Sequence, residues 1–218
     1  MKKRIGVVLS GCGVFDGSEI HEAVLTLLAI DRNGAEAVCM APDKEFPEVN
    51  HLTGKATGEK RNALVESARI ARGKIRCIRE VKAGDLDAII FPGGYGAAKN
   101  LCNFAEKGAK AEIHPEVARL LKEMAAAWKP ICAICIAPTL VAATLGREYA
   151  PKVTIGTDAE TAAAIKATGS EHLECPVTEF IVDKANKIVS TPAYMLAGRI
   201  SEAADGIDKA VKATIELI

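Results

Sequence analysis

The sequence lacks any excess of charge: Lys plus Arg and Asp plus Glu each number 28, so the formal net charge at pH 7 is zero. That balance offers no basic field for nucleic acid and no polybasic segment for an anionic membrane. A long hydrophobic run is also missing, since nothing approaches the ~18 consecutive apolar residues that would suggest a membrane span. Met1-Lys2-Lys3-Arg4 looks like the charged start of a secretory signal, but the apolar run behind it, Ile5–Leu9, is too short and ends in glycines. Aromatic residues make up only 4% of the chain, and its four histidines (His21, His51, His114, His172) form no ligand-like cluster. No internal repeat, low-complexity tract or linker interrupts residues 1–218, so a single domain with one large core is expected.

Cysteine is present in an odd number, seven, without the spacing of a disulfide framework. That usage points to reduced thiols and a cytoplasmic compartment. Cys132 and Cys135 form a C-x-x-C, but residues three apart on a strand face opposite ways, so Cys132 reads as a small buried hydrophobe.

Apolar runs alternate with helical patterns along the whole chain. Strands are expected at Ile5–Leu9, Ala35–Met40, Ala88–Phe91, Pro130–Ile134 and Val153–Ile155, with a hairpin from Phe180–Val182 and Ile188–Ser190. Helices are expected near Glu19–Arg32, Asn62–Arg72, Gly96–Phe104, Pro115–Trp128, Pro138–Leu145, Ala159–Thr168 and Arg199–Leu217. Asp43–Lys60 is polar and carries Pro47, Gly54 and Gly58, and reads as an excursion outside the core. Such alternation requires right-handed crossovers and a mostly parallel α/β sheet covered on both faces. Ligands then bind beyond the carboxyl ends of the strands. Three segments fall there: Ser10-Gly11-Cys12-Gly13, Pro92-Gly93-Gly94-Tyr95-Gly96 and Ala133-Ile134-Cys135-Ile136-Ala137-Pro138.

The third segment has the pattern of a nucleophile elbow. Small residues stand two before and two after Cys135, as a sharp strand-to-helix turn demands. Pro138 follows where a first-turn proline is favoured. The sulfur then lies at the positive end of a helix, which predicts a thiol pKa below the usual ~8.5. The Ile136 N–H and the Gly93-Gly94 turn are candidate donors to a developing oxyanion. Asp16 with Glu19 reads as a capping box opening the first helix. Glu22 lies off that helix's apolar stripe and is either an acid serving Cys135 or an ordinary solvated carboxylate.

Ala133-Ile134-Cys135-Ile136-Ala137-Pro138-Thr139, with Phe91-Pro92-Gly93-Gly94 upstream, resembles the ThiJ/PfpI superfamily of class I glutamine-amidotransferase-like domains. The run Ser10–Glu22 is similar to that of its ElbB branch, also called enhancing lycopene biosynthesis or sigma cross-reacting proteins. Pro92–Leu101, Thr154–Asp158 and Thr191–Leu196 match as well, and the likeness covers essentially the whole chain. It implies a flavodoxin-like three-layer sandwich, usually a homodimer, with no metal or organic cofactor. It carries the nucleophile to Cys135, the conserved acid to Glu22 with Glu19 as runner-up, and the oxyanion donors to Gly94 and Ile136. Gly11, Cys12, Glu19, Asn100 and Asp158 are the further candidates for substrate contact, although helix capping explains Asn100 and Asp158 equally well.

The activity implied is that of a glyoxalase, converting a small aldehyde substrate such as glyoxal or methylglyoxal to a hydroxy acid without glutathione; the branch name links it to isoprenoid biosynthesis. Two departures stand out. Many relatives carry His directly after the nucleophile, where this chain has Ile136, and others place a triad His where this chain reads Gly156-Thr157-Asp158. The missing Cys-His dyad argues against amide hydrolysis, which needs an acid for the leaving amine, and leaves addition to an aldehyde as the better expectation. A thiol-based stress sensor or chaperone-like protein is the alternative, and a glutamine amidotransferase-type hydrolase the third.

Overall fold

The computed structural model describes residues 2–218. The chain runs β1 (Arg4–Val8), α1 (Ile20–Arg32), β2 (Glu36–Ala41), β3 (Glu45–Asn50), β4 (Lys55–Asn62), α2 (Ala63–Ile70) and β5 (Arg76–Cys77). It continues through β6 (Ala88–Phe91), α3 (Tyr95–Lys99), α4 (Phe104–Lys107), α5 (Pro115–Ala126), β7 (Ile131–Ile134) and α6 (Pro138–Tyr149). The remaining elements are β8 (Lys152–Val153), α7 (Ala159–Ala167), β9 (Glu171–His172), β10 (Ile181–Asp183), β11 (Ile188–Thr191) and α8 (Ile200–Glu216).

Seven strands form one sheet in the order β10-β11-β7-β6-β1-β2-β5. All neighbours are parallel except β10 and β11, which make the antiparallel hairpin at one edge. The order β2-β1-β6-β7-β11 is the flavodoxin-like one, with the direction of travel reversing beside β1. Strand residues alternate between two cores, as the period of two requires. Ile5, Val7, Ala88, Ile90, Cys132 and Ile134 pack under α1 and α8. Val8, Ile89, Phe91, Ile131 and Ala133 face α3, α5 and α6 on the other side. Both faces being covered, the central strands consist almost wholly of buried apolar residues. The result is a three-layer α/β/α sandwich.

Three expectations are corrected. Asp43–Lys60 does leave the main sheet, but as a regular antiparallel hairpin of β3 and β4 with an irregularity between Pro47 and Val49. β4 is polar on both faces and β3 buries only Phe46, so no hydrophobic alternation announced them. The helix expected at Gly96–Phe104 is broken into α3 and α4 by a turn in which Cys102 bridges Ile113. The strand expected at Val153–Ile155 contributes only Val153 to a separate two-stranded parallel ribbon of β8 and β9.

At the hairpin edge, Asp183 accepts hydrogen bonds from the Lys152, Ala185 and Asn186 amides at 2.9, 3.1 and 3.2 Å and from Asn186 Nδ2 at 2.7 Å. It therefore ties β8 to the β10–β11 turn from a buried position. Asp183→Ala is expected to cost about 2–4 kcal/mol in urea denaturation, because partly buried amides lose their acceptor. A cost under about 0.5 kcal/mol would show that water replaces the carboxylate.

Candidate active site

Four connections converge beyond the carboxyl ends of β1, β6, β7 and β11, beside the point where the strand order reverses. After β7, Cys135 adopts φ +62, a left-handed conformation that costs a non-glycine residue about 1–2 kcal/mol. The turn is held by the Cys135 amide donating to the Thr191 carbonyl at 2.9 Å. Ala133 and Ala137 are fully buried on either side, and Pro138 opens α6. This is the elbow expected from the small-x-Cys-x-small-Pro pattern.

After β1 the chain folds into a compact loop that ends where Glu19 caps α1, its carboxylate accepting from the Glu22 amide at 2.7 Å. The Asp16–Glu19 capping box is therefore corrected. Asp16 instead accepts from the Val49 amide at 2.8 Å and fastens the β3–β4 hairpin to the loop. Glu22, in the first turn of α1, has no exposed surface. Its Oε2 accepts from the Gly93 amide at 2.9 Å and its Oε1 from the Tyr194 amide at 3.2 Å. The same carboxyl lies against the Cys135 thiol, both of them crowding the space above Gly93.

The glycines after β6 are required by this packing. A Cβ on Gly93 would lie 2.5 Å from Cys135 Cβ, 2.6 Å from Glu22 Oε2 and 3.0 Å from the sulfur. Gly94 has φ +91 and packs its Cα against the Glu19 amide and the Gly17 carbonyl. With no side chain in the way, the amides of Gly94 and Ile136 both reach the Cys135 sulfur.

Electrostatics correct one expectation. The helix terminus and the two amides favour a thiolate, but they do not win. Burial, followed by the adjacent Glu22 charge, pushes the Cys135 thiol well above its ordinary value. Burial and the neighbouring Glu19 likewise raise Glu22 to about 7. Two buried anions in contact are excluded, so at neutral pH the pair keeps at least one proton. A thiolate forms here only while Glu22 holds a proton, and the carboxylic acid then donates to the sulfur.

Cys135, 7% exposed, lines a cleft of about 560 Å³. Val14, Tyr95, Ala98, Phe104, Ile136 and Met195 supply apolar wall; Glu19, Asp158, Glu160 and Tyr194 supply its polar groups. Thus Cys135, Gly94, Ile136, Glu19 and Asp158 share one cleft, with Glu22 directly behind the sulfur. Asp158 also caps α7, accepting from the Thr161 amide at 2.8 Å. Gly11, Cys12 and Asn100 are corrected as substrate contacts, because none lies in the cleft wall. Gly11 donates its amide to Ser67 Oγ at 2.9 Å and packs on Phe46. Cys12 is half-buried, in the field of Glu66, Arg69 and Asp16. Asn100 Nδ2 donates to the Ser10 and Asp16 carbonyls at 2.8 and 2.7 Å, bracing the loop after β1 from below. Sequence reasoning assigned no role to Tyr194; it lies in a matched run, but its approach to Glu22 spans 172 residues and leaves no local signal. Among the described residues no group of three or more His, Cys, Asp or Glu side chains could hold a metal ion, and no helix is long and apolar enough to cross a membrane.

An α/β sandwich carrying a cysteine on a strand-to-helix elbow, backed by a buried carboxyl, defines the class. The family model described as DJ-1/PfpI matches residues 12–191, and the chain belongs to the DJ-1/PfpI family. The human protein named glutamine amidotransferase-like class 1 domain-containing protein 3, mitochondrial, is 46% identical over 98% of this chain and 83% of its own length. The rat ES1 protein homolog, mitochondrial, is 45% identical over 99% and 84%. A crystal structure from Ehrlichia chaffeensis, described as an isoprenoid biosynthesis protein with amidotransferase-like domain, is 38% identical, covers 99% of both chains and superposes with a TM-score of 0.93. Drosophila melanogaster DJ-1beta, at 14% identity and a TM-score of 0.58 over 100% of this chain and 96% of its own, shares the fold. The cytoplasmic expectation is overturned by the mitochondrial names of the curated relatives. Free thiols indicate a reducing environment and do not single out the cytoplasm.

Two outcomes follow from this geometry. Gly93→Ala is expected to destabilise the fold by about 1–3 kcal/mol and to slow alkylation of Cys135 at least tenfold, because its methyl group overlaps both reacting side chains. Unchanged alkylation, followed by peptide mass spectrometry, would refute the contact. For Glu22, the folded-state value exceeds the unfolded one, so its stabilisation is complete below pH ~4.5 and is lost as pH rises through about 7. Between pH 5 and 8 the wild type should lose about 2.5 kcal/mol relative to Glu22→Gln in urea denaturation. Equal losses would mean that Glu22 titrates as an ordinary carboxylate.

Proposed function

We propose that this chain is a cofactor-independent enzyme that converts small dicarbonyls, glyoxal and methylglyoxal among them, to hydroxy acids. The observation that carries this reading is the juxtaposition of three things at one cleft. They are a cysteine sulfur, a buried carboxyl that shares its proton, and two amides aimed at the sulfur.

Each step balances without an external oxidant or reductant. With Glu22 holding the proton, the Cys135 thiolate adds to one aldehyde carbon and forms a C–S bond. The carbonyl electron pair moves onto oxygen, beside the Gly94 and Ile136 amides, and that oxygen takes the proton held by Glu22, giving a hemithioacetal and leaving Glu22 a carboxylate. The hydrogen on the same carbon then leaves as a proton to the carboxylate of Glu22. Its electron pair forms an enediol with the neighbouring carbonyl, whose oxygen is protonated. Return of a proton to the neighbouring carbon, with loss of the hydroxyl proton on the sulfur-bearing carbon, gives the thioester of a hydroxy acid. Water cleaves the C–S bond, releasing the acid and restoring the thiol. One carbon is oxidised and its neighbour reduced, so the overall change is addition of water. No amine leaves, which suits a cleft whose lining includes no histidine among the described residues.

A second reading has an observation of its own. The amides that face the sulfur, and a protonated Glu22, would equally hydrogen-bond the oxygens of a cysteine sulfinate, the product expected of a thiol sensor.

Steady turnover of glyoxal to glycolate without glutathione, followed by NMR, distinguishes the two. The wild type is expected to turn over, Cys135→Ser to lose at least ~10³-fold, and Glu22→Gln ~10²-fold or more. A wild type that is inert toward dicarbonyls, yet modified by peroxide at Cys135 alone, would replace the enzymatic reading with the sensor.

A further inference from the structure

The centre has a proton-supply problem that Cys135 and Glu22 cannot solve alone. Glu22 has no exposed surface and Cys135 is 7% exposed, so protons exchanged at the far side of a bound substrate need another group. Ile136 stands where a histidine could have served. In the cleft wall, Glu19 is committed to capping α1 and Asp158 to capping α7. Tyr194 is differently placed. Its amide donates to Glu22 Oε1 at 3.2 Å, which fixes its backbone to the reacting pair. Tyr194 lines the cleft, and its hydroxyl lies 2.8 Å from Nδ1 of His21, which is exposed to solvent. The two rings are tilted by 44° with centroids 5.8 Å apart. The 3₁₀ turn that presents Tyr194 begins at Ala193, which is buried and takes φ +43. Such a conformation for a residue with a Cβ is held by its surroundings and points to function. Burial, then Glu19 and Glu22, hold the Tyr194 phenol above its ordinary value, so it is protonated at neutral pH.

We propose that Tyr194 is a further catalytic residue, exchanging a proton with the substrate oxygen across the cleft from Cys135, and that His21 is the positioning residue that links it to solvent. The inference rests on the dicarbonyl reading given above. With hydrogen on Nδ1, His21 donates to the tyrosine oxygen and leaves the Tyr194 O–H free for the cleft. With Nδ1 bare, the hydroxyl donates to His21 and turns its lone pairs inward. When Tyr194 gives its proton to the substrate oxygen, the Nδ1 hydrogen passes to the tyrosine oxygen while Nε2 takes a proton from water. The reverse order returns a proton to solvent. An imidazole that the sequence lacks after the nucleophile is thus supplied from α1, through a phenol.

The test compares wild type, Tyr194→Phe and His21→Ala in glyoxal turnover, with alkylation of Cys135 measured in parallel by peptide mass spectrometry. Tyr194→Phe keeps the amide to Glu22 and the ring, so kcat is expected to fall about 10²-fold with KM within threefold and Cys135 alkylation within twofold. His21→Ala is expected to lose about tenfold in kcat and to regain most of it with added imidazole, a rescue that a purely structural role would not allow. Wild-type kcat in Tyr194→Phe, or a fall matched by equal loss of Cys135 alkylation, would overturn the proposal while leaving the dicarbonyl reading standing. Failure of imidazole to restore His21→Ala would overturn the relay. A wild type without turnover refutes the dicarbonyl reading itself, and the role of Tyr194 falls with it.

Discussion

A carboxyl group with no exposed surface costs several kcal/mol to ionise unless its surroundings replace the lost water. Glu22 meets that requirement with two backbone amides and a thiol. Those partners come from the turns after β6, β11 and β7, so satisfying one side chain draws three connections to a common point. The other features of the site follow. Gly93 has no side chain because the carboxyl and the sulfur occupy that space. Glu19 caps α1 by accepting from the Glu22 amide, which sets Glu22 in the first helical turn. Cys135 keeps its left-handed backbone because the neighbouring turns leave its sulfur one destination.

The sheet makes this convergence possible. Parallel strands deliver all their carboxyl ends to the same edge, and the reversal of order beside β1 opens a crevice there. Amide groups, helix termini and apolar wall then come from backbone that the fold needs in any case. Few side chains there carry reactive groups: a sulfur, a carboxyl, and the phenol and imidazole pair of Tyr194 and His21.

The parts legible in the sequence were those with a local cause. Ile5–Val8, Ala88–Phe91 and Ile131–Ile134 are apolar without interruption because both faces of the sheet are covered. The elbow was legible because crowding restricts the positions around Cys135 to small residues. The hairpin of β3 and β4 was not, since Lys55–Asn62 is exposed along most of its length and carries no alternation. Two-residue strands such as β5, β8 and β9 are too short for any period to register. For Glu22 the helical pattern left two roles open, and family resemblance, not spacing, favoured the buried one. The thiol's behaviour was misjudged for a related reason. A helix terminus is visible in sequence, whereas the desolvation and the opposing carboxyl arise from residues far away along the chain. Gly11 and Cys12 do follow β1 and Asn100 ends the short helix after β6, but the loop after β1 folds back on itself and uses Gly11 and Asn100 as internal struts.

The separation of Glu22 from Tyr194, 172 residues along the chain, bears on how the protein is made. During synthesis Cys135 leaves the ribosome as an unprotected thiol on an incomplete sheet. It cannot enter its cradle until residue 194 of 218 has been added, because β11 and the turn after it close the pocket. Until then Cys135 reacts as any cysteine in a disordered chain does. Its chemistry is a property of the finished polypeptide, acquired late and all at once.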